Sequence, residues 1–139
     1  MSLKNVQRAL EIAWATSPVV AYQTYYQNLS KPATDTEAWV RTWFMANTPA
    51  PVYIGSGEQT KADRVTGVFQ IDIFYPVTTG PAQEMTDFEL VRARYRPYTY
   101  LAAYNGTNVL VREVSKKTSI DDNWYRCMIE VTFEAQINR

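Results

Sequence analysis

The residues able to carry out chemistry in this chain are few. There is no histidine, which removes the commonest general base and the commonest metal ligand together. Cys127 is the only cysteine, so neither an internal disulfide nor a zinc site built from Cys and His can form. It falls on the apolar side of an alternating run, where a thiol reads as an inert buried group rather than a nucleophile. Carboxylates remain, and a pair of them can catalyse unaided. Asp121-Asp122, however, sits in a polar stretch with turn composition. Glu130 and Glu134 share the outer side of a strand with Arg126, the ordinary pattern of a solvated sheet face. Gly55-Ser56-Gly57 is a G-x-G fragment outside the strand-to-helix setting of a phosphate loop. These residues specify no reaction, no cofactor and no metal.

The elements that position them are legible from periodicity. Leu3, Val6, Ala9/Leu10 and Ala13/Trp14 recur at helical spacing and predict a helix over about 3–15, capped by Ser2 and closed by Pro18. A short β-type run at 19–22 leads into a loop over 23–36. Residues 37–46 alternate, with Trp39, Arg41, Trp43 and Met45 on one side and Ala38, Val40, Thr42 and Phe44 on the other. Large apolar groups on both sides mean a strand that is sandwiched or covered by a partner. Pro49 and Pro51 bracket a break before a possible short strand at 52–54, and 56–64 reads as an exposed loop.

Residues 65–75 alternate cleanly and predict a strand ending at Pro76. Pro81 then opens a helix over 82–95 with an apolar stripe of Met85, Phe88, Val91 and Tyr95. Its acids come early and Arg92, Arg94 and Arg96 late, as the helix dipole favours, and Glu89 can pair with Arg92. Pro97 stops or kinks it. After the Asn105-Gly106 turn, 108–115 predicts a strand, 116–123 a polar hairpin connection, and 124–137 a final strand of about 44 Å at 3.4 Å per residue. The expected core is Phe69, Ile71, Ile73, Phe88, Val91, Ile129, Val131 and Phe133. Together these features predict a single α+β domain over 1–139, a mainly antiparallel β-sheet with two α-helices packed on it.

Composition narrows the function. A chain of 139 residues with 46% hydrophobic residues can bury a core without staples. Fourteen basic and fourteen acidic residues cancel, so there is no basic excess of the kind phosphate binding requires. No apolar run approaches a membrane span and the N-terminus is too polar for a signal peptide, so a soluble chain made in the cytoplasm is expected. Aromatics reach 14%, which fits either interfaces or half-buried positions on a sheet.

The run RVTGVFQIDIFYPVTTGPAQEMTDFELVRARY (64–95) resembles a pattern of phage tail-terminator and tail-completion proteins: an arginine, a glycine-aromatic strand ending in Ile-Phe-x-Pro, a glycine, and an amphipathic helix. EAWVRTWF (37–44) is similar to the family's Trp-Val-Arg strand, and WYRCMIEVTFEAQI (124–137) to its closing strand. The resemblance implies a structural virion protein rather than an enzyme. Its expected form is a ring-forming subunit, usually hexameric, that caps the tail tube and presents the head-tail joining surface. The implied partners are other copies of itself, the tail tube protein and the connector or neck proteins, with DNA only as passing cargo and no membrane. The alternatives are another neck or tail-completion adaptor, a small-ligand-binding α+β module whose aromatics line a pocket, or a carboxylate hydrolase.

Two sets of surface residues follow as expectations. Trp39, Arg41 and Trp43, with the polar positions Glu58, Lys61, Asp63, Lys116 and Lys117, are candidate contacts with neighbouring subunits or the tube. Gln70, Asp72, Glu130 and Glu134 form a polar outer row that would face the channel, where carboxylates repel passing DNA over a Debye length of roughly 8–10 Å. The same row also reads as plain solvated surface.

Overall fold

The two most regular alternating runs of the sequence build the centre of the fold. A computed structural model describes residues 3–16, 22–26, 37–47, 50–53, 59–77, 81–121 and 124–138. The side chains of 50–53, 59–62, 81, 121, 137 and 138 lie outside that description. Strand β4 (Gln59–Pro76) pairs antiparallel with β6 (Trp124–Asn138), in register from Ala62↔Asn138 to Pro76↔Trp124. On the far side of β6 lies β5 (Val109–Asp121), and on the far side of β4 lies β2 (Trp39–Ala46), both antiparallel. The short β1 (Gln23–Tyr25) adds parallel to β2, giving the order β1-β2-β4-β6-β5, while β3 (Ala50–Tyr53) pairs with the early part of β4. The fold is α+β, a mainly antiparallel sheet with two helices, as its periodicities predict.

Helices α1 (Leu3–Ala15) and α2 (Pro81–Arg94) share one core with the inward positions of the sheet. Alternation puts Val65, Phe69, Ile71, Ile73 and Tyr75 of β4 on that face, opposite Cys127, Ile129, Val131 and Phe133 of β6, all buried. Of the expected core, only Phe88 is half-buried; the others are fully buried. Tyr95, just past α2, packs beside Phe69 and donates its hydroxyl to the Leu10 carbonyl of α1 at 2.8 Å, which ties the helices together.

The expected stripe of α2 is corrected. Met85 is 58% exposed, whereas Glu84 and Asp87 are buried with Val91 and Tyr95. Positions 84, 87, 88, 91 and 95 are a proper helical stripe. Apolarity alone selected Met85, but the sheet offers polar partners to the two acids. The expected Glu89–Arg92 ion pair does not form among the described residues.

Two expected loops are strand. Residues 59–64 continue β4, because β3 pairs with it from Gln59 and β6 from Ala62: Arg64 faces Gln136 on one side and Ala50 on the other. Residues 116–121 continue β5, each paired with β6. Serine, threonine and lysine suit an edge strand bordered by water, and their polarity mimics a turn. Within the expected 23–36 loop, 23–25 form β1; residues 17–21, 27–36 and 54–58 lie outside the described residues. The short strand expected at 52–54 forms at 50–53. Asn105 and Gly106 both have positive φ, 49° and 77°, as a type I′ turn demands.

Midway along β4 the layers close tightly. A Cβ on Gly67 would collide with the Met45 carbonyl oxygen and meet the Ala46 Cα and Phe133 Cζ at 2.9 Å. Phe133 is itself stacked on Phe44 at 5.5 Å. Phe133→Ala is expected to lose about 3–5 kcal/mol through the cavity it leaves, and Gly67→Ala about 1–3 kcal/mol through overpacking. Urea unfolding checks both; losses well under 1 kcal/mol would mean this face is open.

Candidate functional site

The face of the sheet opposite the helices carries the β2 members of the first predicted set and all four residues of the second. Pleating and register set Trp39 across from Phe74, Arg41 across from Asp72 and Trp43 across from Gln70. Phe74 and Gln70 in turn face Arg126 and Glu130 of β6. The candidate contact residues of β2 and the candidate channel residues of β4 and β6 are therefore neighbours on one surface.

Its centre is an aromatic and arginine array. Trp39 stacks on Phe74 with ring centroids 4.1 Å apart and meets Trp124 and Tyr25 edge-on, each at 5.9 Å. Such contacts bury Trp39, which is 4% exposed, so this candidate contact residue belongs to the packing of the subunit itself. The Arg41 guanidinium lies 5.6 Å from the Trp39 ring and 5.8 Å from that of Trp43, within cation–π range. Its Nε and Nη2 are buried with no hydrogen-bond partner among the described residues.

Asp72 is not the exposed acid expected of a channel lining. It is fully buried and accepts from Arg126 Nη2 at 2.6 Å, Trp43 Nε1 at 3.1 Å and Gln70 Nε2 at 2.8 Å. A carboxylate buried this deeply stays charged only when paired and hydrogen-bonded, and Arg126, itself over the Phe74 ring, supplies the charge. Glu134 lies between Arg64 at 3.8 Å and Arg112 at 3.5 Å. Glu130 is half-buried and has no ion pair among the described residues. The row is thus charge-balanced rather than acidic.

The remaining predicted residues are scattered. Lys116 is on the opposite face, where it donates to Glu84 at 3.1 Å and covers the Phe88 ring at 5.5 Å, anchoring α2. Lys117 is exposed on β5, Asp63 is half-buried on β4, Lys61 has only its backbone in the description, and Glu58 lies outside it.

On the helix side, residues missed by sequence form a second polar cluster. Asp87 accepts hydrogen bonds from the Tyr75 hydroxyl at 2.6 Å, the Tyr22 hydroxyl at 2.9 Å and Gln83 Nε2 at 3.0 Å. Burial, with Asp87 beside it, pushes the Tyr22 phenol up to about 12 and raises Tyr75 strongly. Burial, and next Glu84, pushes the Cys127 thiol up to about 12, so it holds its proton at neutral pH. Among the described residues, no group of three or more acids, cysteines or histidines is gathered to hold a metal.

Two predictions follow. Asp72→Ala removes the acceptor of Arg126 Nη2 and Trp43 Nε1 and should lose about 3 kcal/mol in urea unfolding, the lower end for a broken buried pair because Arg126 still reaches water; a loss below 1 kcal/mol would mean the pair is dispensable. Cys127 has its pKa raised from 9.0 to about 12, so its contribution to stability is intact below pH 9 and is lost as pH climbs toward 12. A disulfide reagent at pH 8 should label it no faster than the chain unfolds; rapid labelling of the folded protein would contradict its burial.

Comparison with known proteins bears on this arrangement. The profile of the phage tail terminator proteins matches residues 5–133. No curated protein matches the chain. Among solved structures fourteen chains match; one of them, 19% identical, superposes with a TM-score of 0.69 over 100% of this chain and 99% of its own, which shows the shared fold. The profile spans nearly the whole sequence, helices and sheet together, and the chain belongs to the phage tail terminator family, structural proteins of the virion tail.

Proposed function

We propose that this chain is a ring-forming tail terminator: copies of it, six in the usual arrangement, close on the end of the tail tube and give the head's connector its docking surface. It is made in the host cytoplasm, resides in the virion at the tail or neck, acts as a single domain over 1–139, and catalyses no reaction. The observation that carries this beyond family membership is Arg41, held between Trp39 and Trp43 with two donor nitrogens that find no partner among the described residues. Buried donors are ordinarily paired, and arginine beside tryptophan is a frequent interface anchor. A carbonyl or carboxylate from a neighbouring subunit or the tube would complete it. Lys117 and Asp63 flank the same sheet at its margins, while the balanced outer row of Gln70, Glu130 and Glu134 would neither grip nor strongly repel DNA.

The buried acids support a structural reading, since Asp72, Glu84 and Asp87 each hold tyrosine, glutamine, tryptophan or basic donors. A pocket-type binder finds less support: the outer aromatics stack on each other rather than around a cavity. A different neck adaptor would share this fold but would not stop a growing tube. Elongation of purified tube protein, followed by electron microscopy, separates the two. Adding this chain should halt growth at one end and narrow the length distribution, and Arg41→Ala should weaken the effect roughly tenfold. Unchanged tube lengths with the wild-type chain would refute the capping role.

A further inference from the structure

By register Arg41 lies directly across from an acid, Asp72, yet that carboxylate is already taken. Its Oδ2 accepts from Arg126 and Trp43, and its Oδ1 from Gln70. Arg41 makes no ion pair among the described residues. Glu130 sits two strands over, in line with Trp43 rather than with Arg41. The outer face therefore holds a cation with no matched acid among the described residues.

The two Arg41 nitrogens that find no partner among the described residues are Nε and Nη2. Their N–H bonds lie on one side of the planar guanidinium and point in parallel, the fork that takes both oxygens of a single carboxylate. Trp39 Nε1 is likewise buried with no partner among the described residues, in a side chain only 4% exposed. Its ring lies 5.6 Å from the same guanidinium. Three donors thus gather in one small region.

A DNA phosphate would fit the same fork, but the neighbouring arginines are committed, Arg126 to Asp72 and both Arg64 and Arg112 to Glu134. One remaining cation makes a poor track for a phosphate backbone. A second copy offers little either. Its exposed Glu89 and Glu113 share their depressions with Arg92 and Arg112, which offset them. Glu37, also exposed, is two residues from Trp39 and belongs to the receiving surface itself.

We propose that Arg41 and Trp39 form a carboxylate socket whose occupant is an Asp or Glu side chain of the protein on which this chain docks, the tube in the reading above. The proposal rests on that reading of Arg41 and deepens it by naming the acceptor. Arg41 is half-buried, so its long side chain turns the fork outward on docking, and Trp39 Nε1 donates beside it. Buried donors left unmade cost free energy, and the incoming carboxylate satisfies them.

Tube capping and self-association, measured separately on the full chain, test it. Arg41→Lys keeps the charge and removes the fork; capping of purified tubes should weaken roughly tenfold, while sedimentation velocity of the variant alone matches the wild type. Should the lysine lower the melting temperature, Arg41→Gln, with a single amide group, takes its place with the same expectation. Trp39→Phe keeps a ring, removes the third donor and should also weaken capping. Converting the carboxylates of assembled tubes to amides, with a carbodiimide and glycinamide, should abolish capping by the wild-type chain. Full capping by Arg41→Lys, or of amidated tubes, overturns the carboxylate assignment and leaves the anchor reading intact if Arg41→Ala still caps poorly. Loss of self-association in place of capping puts the acceptor on a second copy, and loss of filter-retained DNA puts it on a phosphate; either overturns the proposal. Full capping by Arg41→Ala overturns both readings.

Discussion

A carboxylate enclosed on each side of the same sheet is the constraint on which this structure turns. Burying an ionised acid is tolerable only where donors surround it, so each acid dictates its neighbours. On the outer face Asp72 recruits Arg126, Trp43 and Gln70 from three strands and thereby fixes how β2, β4 and β6 sit beside one another. On the helix face Asp87 gathers Tyr75, Tyr22 and Gln83, and Glu84 takes Lys116, which seats α2 on the sheet and on β5. Apolar contacts supply most of the driving force, but they are less particular about register than these bonds.

The same arrangement explains why the chain reads as a building block. Its buried acids are committed to holding layers together, and its thiol is kept protonated by burial. What faces outward is an arginine between two tryptophans on the outer face, exposed tyrosines at a left-handed turn, and the exposed Ile120 on β5. A rigid sheet with distinct ends suits a tail terminator, whose family this chain shares.

Much of this was legible before any coordinates. Strict alternation in 65–75 and 124–137 located the central pair, because one face of each strand is buried along its length. The family emerged from an ordered set of motifs, not from any one residue. Other features were hidden for physical reasons. Edge residues 116–121 are polar because water borders them, which made a strand resemble a turn, and Lys116 thereby passed for a loop residue. Glu84 and Asp87 stood in the acidic first turns of α2, where the helix dipole already accounted for them; only their spacing with Phe88, Val91 and Tyr95 marked them as inward. Asp72 looked solvated because alternation reveals which face a residue takes but not whether that face is covered.

Electron microscopy of the purified protein bears most directly on the proposal that this is a ring subunit of the tail. Closed rings of uniform size with a single central opening are the predicted outcome. Isolated subunits at every concentration, whether or not tube protein is present, would contradict it.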